Sequence, residues 1–221
     1  MQRYYQGQLD FFCAVYAVIN ALTAMFGINL TQARMLFATA LYDTSKHPSL
    51  WLATLENKTD FHWLVAYMIQ AASRGSSYPL RAFRPFVADG KIPDEAADLA
   101  QAAFHVAGGQ SFRNPGNTDT FWRRIDDWLL PSEEPPMPGS VSRTLIFRFH
   151  RYIPFISEPV ISHWSVADHI FAGKLHLRDC SKEERALHNL DRTVTVLHPD
   201  RVDDAHNVRI EPESVFFLEK R

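Results

Sequence analysis

The spacing of apolar positions along the chain changes near residue 130. Up to that point, apolar residues recur at the three- and four-residue intervals of amphipathic helices. Thr31, Thr59 and either Thr118 or Asp119 are suited to cap a helix, and Pro93 is suited to a first helical turn. The pattern therefore predicts four helices, over residues 31–43, 59–75, 93–106 and 118–130.

An earlier segment, residues 11–26, is apolar almost all round, which is typical of a helix buried at the centre of a fold. The run follows Arg3 and resembles the apolar part of a secretory signal, but Asp10 heads it and Asn20 interrupts it. It is also too short and too interrupted to span a membrane. We therefore expect this segment to belong to the folded protein as a helix that carries Cys13, with no cleavable N-terminal signal.

After residue 142 the chain is rich in β-branched and aromatic residues, with turn residues between the runs. Before it, residues 131–141 contain four prolines and a glycine, which indicates a connection between two halves or a lid over them. We predict an α+β fold in one domain, residues 1–221, with a mainly helical subdomain (1–130) and a mainly β subdomain (142–221). The predicted strands, in an antiparallel sheet, are 143–151, 159–170, 175–181, 193–197 and 208–220.

Composition and charge narrow the function. With 46% hydrophobic and 22% charged residues, the chain has the composition of a soluble globular protein rather than of a disordered one. The net charge is −2 and no run of lysine and arginine could neutralise a series of phosphates, so we expect no nucleic-acid partner. Two cysteines, Cys13 and Cys180, form no disulfide framework, which favours a reducing compartment such as the cytoplasm.

Cys13 is the first candidate for chemistry. A lone cysteine is most often a small buried core residue, and an apolar helix suits that role. This cysteine, however, follows the polar, glycine-bearing segment 5–10 and stands at the start of the predicted helix. At that position the positive end of the helix dipole and the unpaired backbone N–H groups favour the thiolate, which is the nucleophilic form.

A thiolate nucleophile needs an imidazole beside it and a group that orients the imidazole. His163 lies inside a predicted strand and is followed by the bulky Trp164, which would shield the pair from water. Asp179 ends the next strand-like run, across the turn at residues 172–174, so a hairpin would bring it near His163. Judged alone, each residue also has a purely structural interpretation. His163 would be a strand histidine that bonds a neighbour, and Asp179 would be a turn residue.

An acyl intermediate also needs donors directed at its oxyanion. Gln8, upstream of Cys13, is the first choice, together with the Cys13 backbone N–H, and Gln6 is the reserve. Asp10 is better suited to cap the helix, because a carboxylate so close would oppose formation of the thiolate.

The order Gln8, Cys13, His163-Trp164 and Asp179 resembles that of the papain-like cysteine peptidases. QLDFFCAVYAVINAL with SHWSVAD is similar to the bacteriocin-leader-processing peptidases and to the Josephin deubiquitinases. The resemblance implies a papain-like fold and a triad of Cys13, His163 and Asp179. Ala14 departs from the glycine that follows the cysteine in many of these enzymes, and the interval from Gln8 to the cysteine is one residue shorter than usual.

We therefore expect a thiol hydrolase that cleaves a peptide or isopeptide bond in a peptide or protein substrate. Two alternatives stay open: an acyltransferase or transglutaminase-like enzyme on the same triad, and a non-catalytic binding module that grips a partner through aromatic residues. The sequence shows no ligand pair with zinc spacing, and His150 stands alone, so we expect neither a metal nor another cofactor.

Overall fold

The computed structural model describes the greater part of both predicted subdomains. The predicted helix at 93–106 lies outside the described residues, as do Gln6, Gln8, Asp10, Thr59, Asp179 and Cys180. The described residues are 12–56, 61–74, 78–87, 117–129, 131–132, 134, 136–153, 159, 161–178 and 189–221.

Four helices form the described N-terminal part: α1 (Cys13–Phe26), α2 (Leu30–Ser45), α3 (Pro48–Leu55) and α4 (His62–Arg74). The prediction that α1 is central and buried is confirmed, because most of its residues are shielded from solvent. The cap predicted for α2 is wrong by two residues. Asn29, not Thr31, caps it, because Asn29 and Gln32 each bond the other's backbone N–H in a reciprocal capping box.

A fifth described helix, α5 (Thr118–Trp128), comes just before the proline-rich connection. Its cap is Asn117, whose side chain accepts from the Thr120 backbone N–H at 2.8 Å, so the caps predicted at Thr118 or Asp119 are wrong by one or two positions. The helix itself is confirmed and is strongly amphipathic. Phe121, Trp122 and Ile125 are buried on one side, while charged residues occupy the other.

The described strands form one eight-stranded sheet whose order is β1-β8-β2-β3-β4-β5, with β7 also paired to β2 and β6 to β7. All pairs between these strands are antiparallel except β6 with β7, so the predicted antiparallel sheet is confirmed in its main part. The strands are β1 (Leu80–Phe83), β2 (Arg143–Arg151), β3 (Ile161–Phe171), β4 (Lys174–Leu177), β5 (Asn189–Asp191), β6 (Thr195–Val196), β7 (Val208–Ile210) and β8 (Phe216–Lys220).

The described strands differ from the predicted pattern in several places. β5 was not predicted, and the predicted strand 193–197 contains only the short β6, because Thr193 and Val194 belong to a 3₁₀ turn. The segment 208–220 is not one strand, because a 3₁₀ turn at Pro212–Ser214 divides it into β7 and β8, which pair with opposite halves of β2. β1 belongs to the mainly helical part of the sequence, yet it pairs with β8 at the edge of the sheet. The helical and β parts of the chain therefore share one sheet.

The sheet lies between two hydrophobic cores. Ile146, Trp164 and Val166 pack with α1 and α4 on one face. On β2, Leu145, Phe147 and Phe149 point away from the side of Ile146, and they pack with α5 on the other face. We call these the α1 face and the α5 face of the sheet.

The described part of the connection is bonded to the end of α1. The Gly139 backbone N–H donates to the carbonyl of Ala24 at 2.8 Å, and the Lys220 Nζ of β8 donates to the carbonyl of Gly139 at 2.6 Å. None of the helices in the described part of the chain combines the length and the apolarity that a membrane span requires.

Candidate functional site

Cys13 is the first residue of α1. Phe12 occupies the N-cap and offers no side-chain acceptor to the first-turn N–H groups, and that turn holds no acidic residue. The positive end of this helix is therefore not neutralised by its own cap or first turn. Cys13 is 8% exposed, whereas Ala14 and Val15 behind it are fully enclosed, so the cysteine stands where the core meets the surface.

Aromatic side chains from the first three helices surround this end of α1. The Phe12 ring lies 5.9 Å from that of Phe37, edge to face, and 6.3 Å from that of Trp51. The Tyr16 and Phe37 rings are 5.4 Å apart. Phe37, Trp51 and Tyr16 are only partly buried, so an apolar wall with accessible edges lies next to Cys13.

Two buried contacts fix the direction of α1 against the sheet. Near the end of the helix, the Met25 sulfur accepts a hydrogen bond from the Thr144 hydroxyl at 3.5 Å, at the start of β2. One turn earlier, Asn20 Nδ2 donates to the carbonyl of Arg178 at 3.2 Å. The Arg178 backbone N–H in turn donates to the carbonyl of Val166 at 2.9 Å. Because β2 begins opposite the later part of β3, α1 runs beside β3 in the same direction.

This alignment relates Cys13 to His163. The seven residues from Asn20 back to Cys13 cover about 10 Å of helix. The three from Val166 back to His163 cover about 10 Å of strand. A helix axis parallel to β3 would therefore bring Cys13 and His163 to the same level.

His163 faces a different side of β3 from Trp164. It is paired with Phe149 in the register of β2 and β3, and the two rings meet edge to face at 5.7 Å. Phe149 belongs to the α5 face, so the alternation of a strand puts the His163 ring on that face and Trp164 on the α1 face.

Trp164 closes the core beside α1. Its ring is 1% exposed, meets the His62 ring edge-on at 5.1 Å, and belongs to the same hydrophobic cluster as Cys13. Its indole Nε1 is buried and has no hydrogen-bond partner among the described residues. Trp164 is therefore part of the water-excluded core that packs against α1.

Of the other predicted site residues, Gln8, its reserve Gln6 and Asp179 lie outside the described residues. Arg178, which directly precedes Asp179, is held in place. Its backbone carbonyl is bound by Asn20 of α1 and its N–H by Val166 of β3. The chain is thus fixed to both the cysteine helix and the histidine strand at the residue before Asp179.

Another buried histidine, His150, has no role in the predicted triad. On β2 it alternates with Phe149 and so lies on the α1 face, and its Nε2 is 2.6 Å from Glu211 Oε1. Its Nδ1 is buried with no partner among the described residues. Burial by itself would raise the pKa of Glu211, but the bond to His150 and the charges of Arg148 and Arg209 outweigh it and lower that pKa to about 2.

A cluster of three potential metal ligands on the β3–β4 hairpin was not predicted from the sequence. Asp168 Oδ1 lies 2.7 Å from His169 Nδ1 and 3.4 Å from His176 Nδ1, and Arg178 Nε donates to the other carboxylate oxygen. Burial would raise the pKa of Asp168, but these hydrogen bonds and the Arg178 charge hold it well below its ordinary value. An aspartate and histidine before the predicted turn at 172–174, with a histidine just after it, were the available signal.

The described residues therefore supply a cysteine at the start of a helix whose N-cap side chain makes no capping hydrogen bond. They also supply His163 and His150, on neighbouring strands and opposite faces of the sheet, and a separate carboxylate–histidine cluster. Comparisons with protein-family models, with curated proteins and with solved structures gave no match for this chain.

Proposed function

We propose that this protein is a papain-like, cysteine-dependent hydrolase that cleaves a peptide or isopeptide bond. Cys13 is the nucleophile and His163 the acid–base. Asp179 orients the imidazole, and Gln8 with the Cys13 backbone N–H stabilises the oxyanion. The observation that carries the proposal is the position of Cys13 as the first residue of a buried helix that packs against β3, the strand that bears His163.

Three features support a reactive rather than a packing role for Cys13. The helix has no acidic residue in its first turn and no bond from its N-cap side chain, so its dipole favours the thiolate. The enclosed helix behind the cysteine holds it rigidly. The aromatic wall of Phe12, Phe37 and Trp51 offers an apolar surface for a substrate side chain beside the nucleophile.

In the proposed reaction the Cys13 thiolate attacks the substrate carbonyl and forms a C–S bond. The C–N bond then breaks, and the leaving amine takes a proton from the imidazolium of His163. In the second half, His163 removes a proton from water, the resulting hydroxide attacks the thioester, and the C–S bond breaks to release the acid product and the thiolate. No oxidant or cofactor enters this balance.

One observation favours a second candidate for the imidazole. His150 lies on the α1 face, its Nε2 is bound by the Glu211 carboxylate, and its Nδ1 has no described partner. A histidine held by a carboxylate on one nitrogen is the arrangement in which the other nitrogen serves a nucleophile. His150 with Glu211 is therefore the alternative pair for the same thiol hydrolysis.

The test is the rate at which Cys13 reacts with iodoacetamide and with an electrophilic peptide probe at neutral pH. The proposal predicts modification faster than that of free cysteine, although Cys13 is only 8% exposed. Cys13→Ala should lose the labelled peptide, and Cys180→Ala is the matched control that should keep it. Labelling no faster than that of the free amino acid contradicts catalysis and favours the non-catalytic binding module.

Hydrolysis and acyl transfer are then separated by incubating the protein with peptide substrates and a primary amine acceptor. The hydrolase predicts free acid as the main product by mass spectrometry. An amine adduct in excess over the acid would instead assign the same cysteine to an acyltransferase.

A further inference from the structure

The β3–β4 hairpin carries three side chains whose chemistry the hydrolase does not use. Asp168, His169 and His176 each offer one ligand atom, and these atoms all lie within 4.8 Å of one another. The Asp168 side chain is fully enclosed, and that of His176 is 13% exposed, so the cluster is closed on one side and reachable from the other.

Local backbone geometry explains how neighbours in sequence come to share one face. The pairing of β3 with β4 shifts between Ala167 and His169, which is a β-bulge. In a regular strand Asp168 and His169 would point to opposite faces, but a bulge re-aims one of them, and both side chains meet here. His176 is the register partner of His169, and their rings lie 4.3 Å apart.

We propose that Asp168, His169 and His176 together bind a divalent transition-metal ion, Zn²⁺ being the best fit. One carboxylate oxygen and two imidazole nitrogens form a donor set found in zinc sites that keep a position open for water or substrate. Imidazole donors also favour Zn²⁺, Cu²⁺ or Ni²⁺ over Mg²⁺ or Ca²⁺, which prefer oxygen ligands throughout.

The hydrogen bonds of the cluster are compatible with metal loading. Both imidazoles turn Nδ1 toward the same oxygen, Asp168 Oδ1, while Arg178 takes Oδ2. A metal ion at Nδ1 requires that nitrogen without its proton, and the neutral ring meets this by carrying the proton on Nε2 instead. Arg178 then acts as the outer partner that orients the ligating carboxylate.

Arg178 also limits the affinity. Its positive charge already offsets that of Asp168, so the loaded cluster carries a net positive charge in a largely buried position. We therefore expect exchangeable binding rather than the very tight binding of a structural zinc site. Arg178 further donates to the carbonyl of Pro136 at 2.8 Å, which links the cluster to the proline-rich connection.

The experiment measures Zn²⁺ binding to chelator-treated, dialysed protein in a Cys13→Ser/Cys180→Ser background, which removes thiolate ligands and makes the result independent of the proposed hydrolase. The expected result is one Zn²⁺ per chain by calorimetry and elemental analysis. His176→Ala should weaken Zn²⁺ binding by about tenfold or more. Loss of a residue that only orients a metal ligand already has an effect of this size, and His176 is a proposed ligand itself. His206→Ala is the matched control, because His206 is an exposed histidine bonded to Asp203, and it should bind as the background does.

Equal binding by the background and by His176→Ala, or no binding by the background, overturns the proposal. Co²⁺ substitution gives a readout that does not depend on the variant folding. Intense visible absorption typical of four-coordinate Co²⁺ is expected for the background protein, and its absence overturns the proposal as well.

Discussion

Asn20, two turns into the helix that begins at Cys13, donates from Nδ2 to the backbone carbonyl of Arg178 at 3.2 Å. The bond is buried and joins residues that are 158 positions apart in the chain. It fixes α1 to the segment that leads into Asp179. The helix that begins at the proposed nucleophile is therefore bonded to the residue that directly precedes Asp179 in the sequence.

Replacing Asn20 with alanine removes that donor and leaves the Arg178 carbonyl buried without it. Loss of one partner from a buried hydrogen bond costs about 1–3 kcal/mol, so the free energy of unfolding should fall by that amount. Urea denaturation followed by tryptophan fluorescence measures the change. Asn189→Ala is the control, since Asn189 is exposed, and its unfolding free energy should stay close to that of the parent protein. Equal stability of the two variants would contradict the role given to Asn20.

Much of the sheet was predictable because the residue pattern that marks a strand can be recognised within each strand's own sequence. The predicted strand at 143–151 matches β2 residue for residue, and His163 was correctly placed on a strand. The predicted caps of α2 and α5 were wrong by one or two residues because several capping residues adjoin each of these helix starts, and only the fold decides between them. β1 was missed because four residues are too few to show a clear alternating pattern, and only their pairing with β8 identifies them as a strand.

The candidate site was predictable only in part, for a different physical reason. The relation of His150 to Glu211 spans 61 residues and depends on which strand pairs with β2, which no local pattern records. The cluster around Asp168 depends on a bulge that puts two successive side chains on one face, against the period of a regular strand. Both relations come from sheet register rather than from sequence spacing.

The two strand histidines can be distinguished by matched substitutions. His163 and His150 are 8% and 7% exposed, and they occupy neighbouring strands in adjacent register. If His163 is the acid–base, His163→Gln should lower the rate of Cys13 labelling and of peptide hydrolysis by about 100-fold or more. His150→Gln should leave both rates nearly unchanged once each is divided by the folded fraction, which circular dichroism measures. The reverse outcome would assign the role to His150 with Glu211.

Gly27 ends α1 in the left-handed conformation, at φ +65°, beside Gly139 of the connection. A Cβ there would lie 3.6 Å from the Gly139 Cα, an ordinary contact, so the cost of a side chain comes from the backbone angle. Gly27→Ala should lower the free energy of unfolding by about 1–2 kcal/mol, and Gly27→Asn by less, because asparagine tolerates this region. Chemical denaturation of the pair tests this, and an equal loss for both would show that crowding decides instead.

Glu211 makes stability depend on pH in the acid range. Burial would raise its pKa, but the bond to His150 and the charges of Arg148 and Arg209 outweigh that effect, so its pKa of about 2 in the folded protein lies below the ordinary 4.5. A lowered folded-state pKa stabilises the protein above pH 4.5, and this contribution is lost as pH falls from about 5 to about 2.

Glu211→Gln should therefore lower the free energy of unfolding near neutral pH by roughly 3 kcal/mol, which corresponds to the difference between the two pKa values. The gap from the parent protein should narrow steadily below about pH 5 and become small near pH 2, where the parent's own carboxyl is half protonated in the folded state. Urea denaturation at a series of pH values measures this. Glu134→Gln is the control, because Glu134 is exposed, and its stability should follow that of the parent at every pH. A gap for Glu211→Gln that stays constant down to about pH 2 would mean that shape and packing, rather than charge, account for the loss.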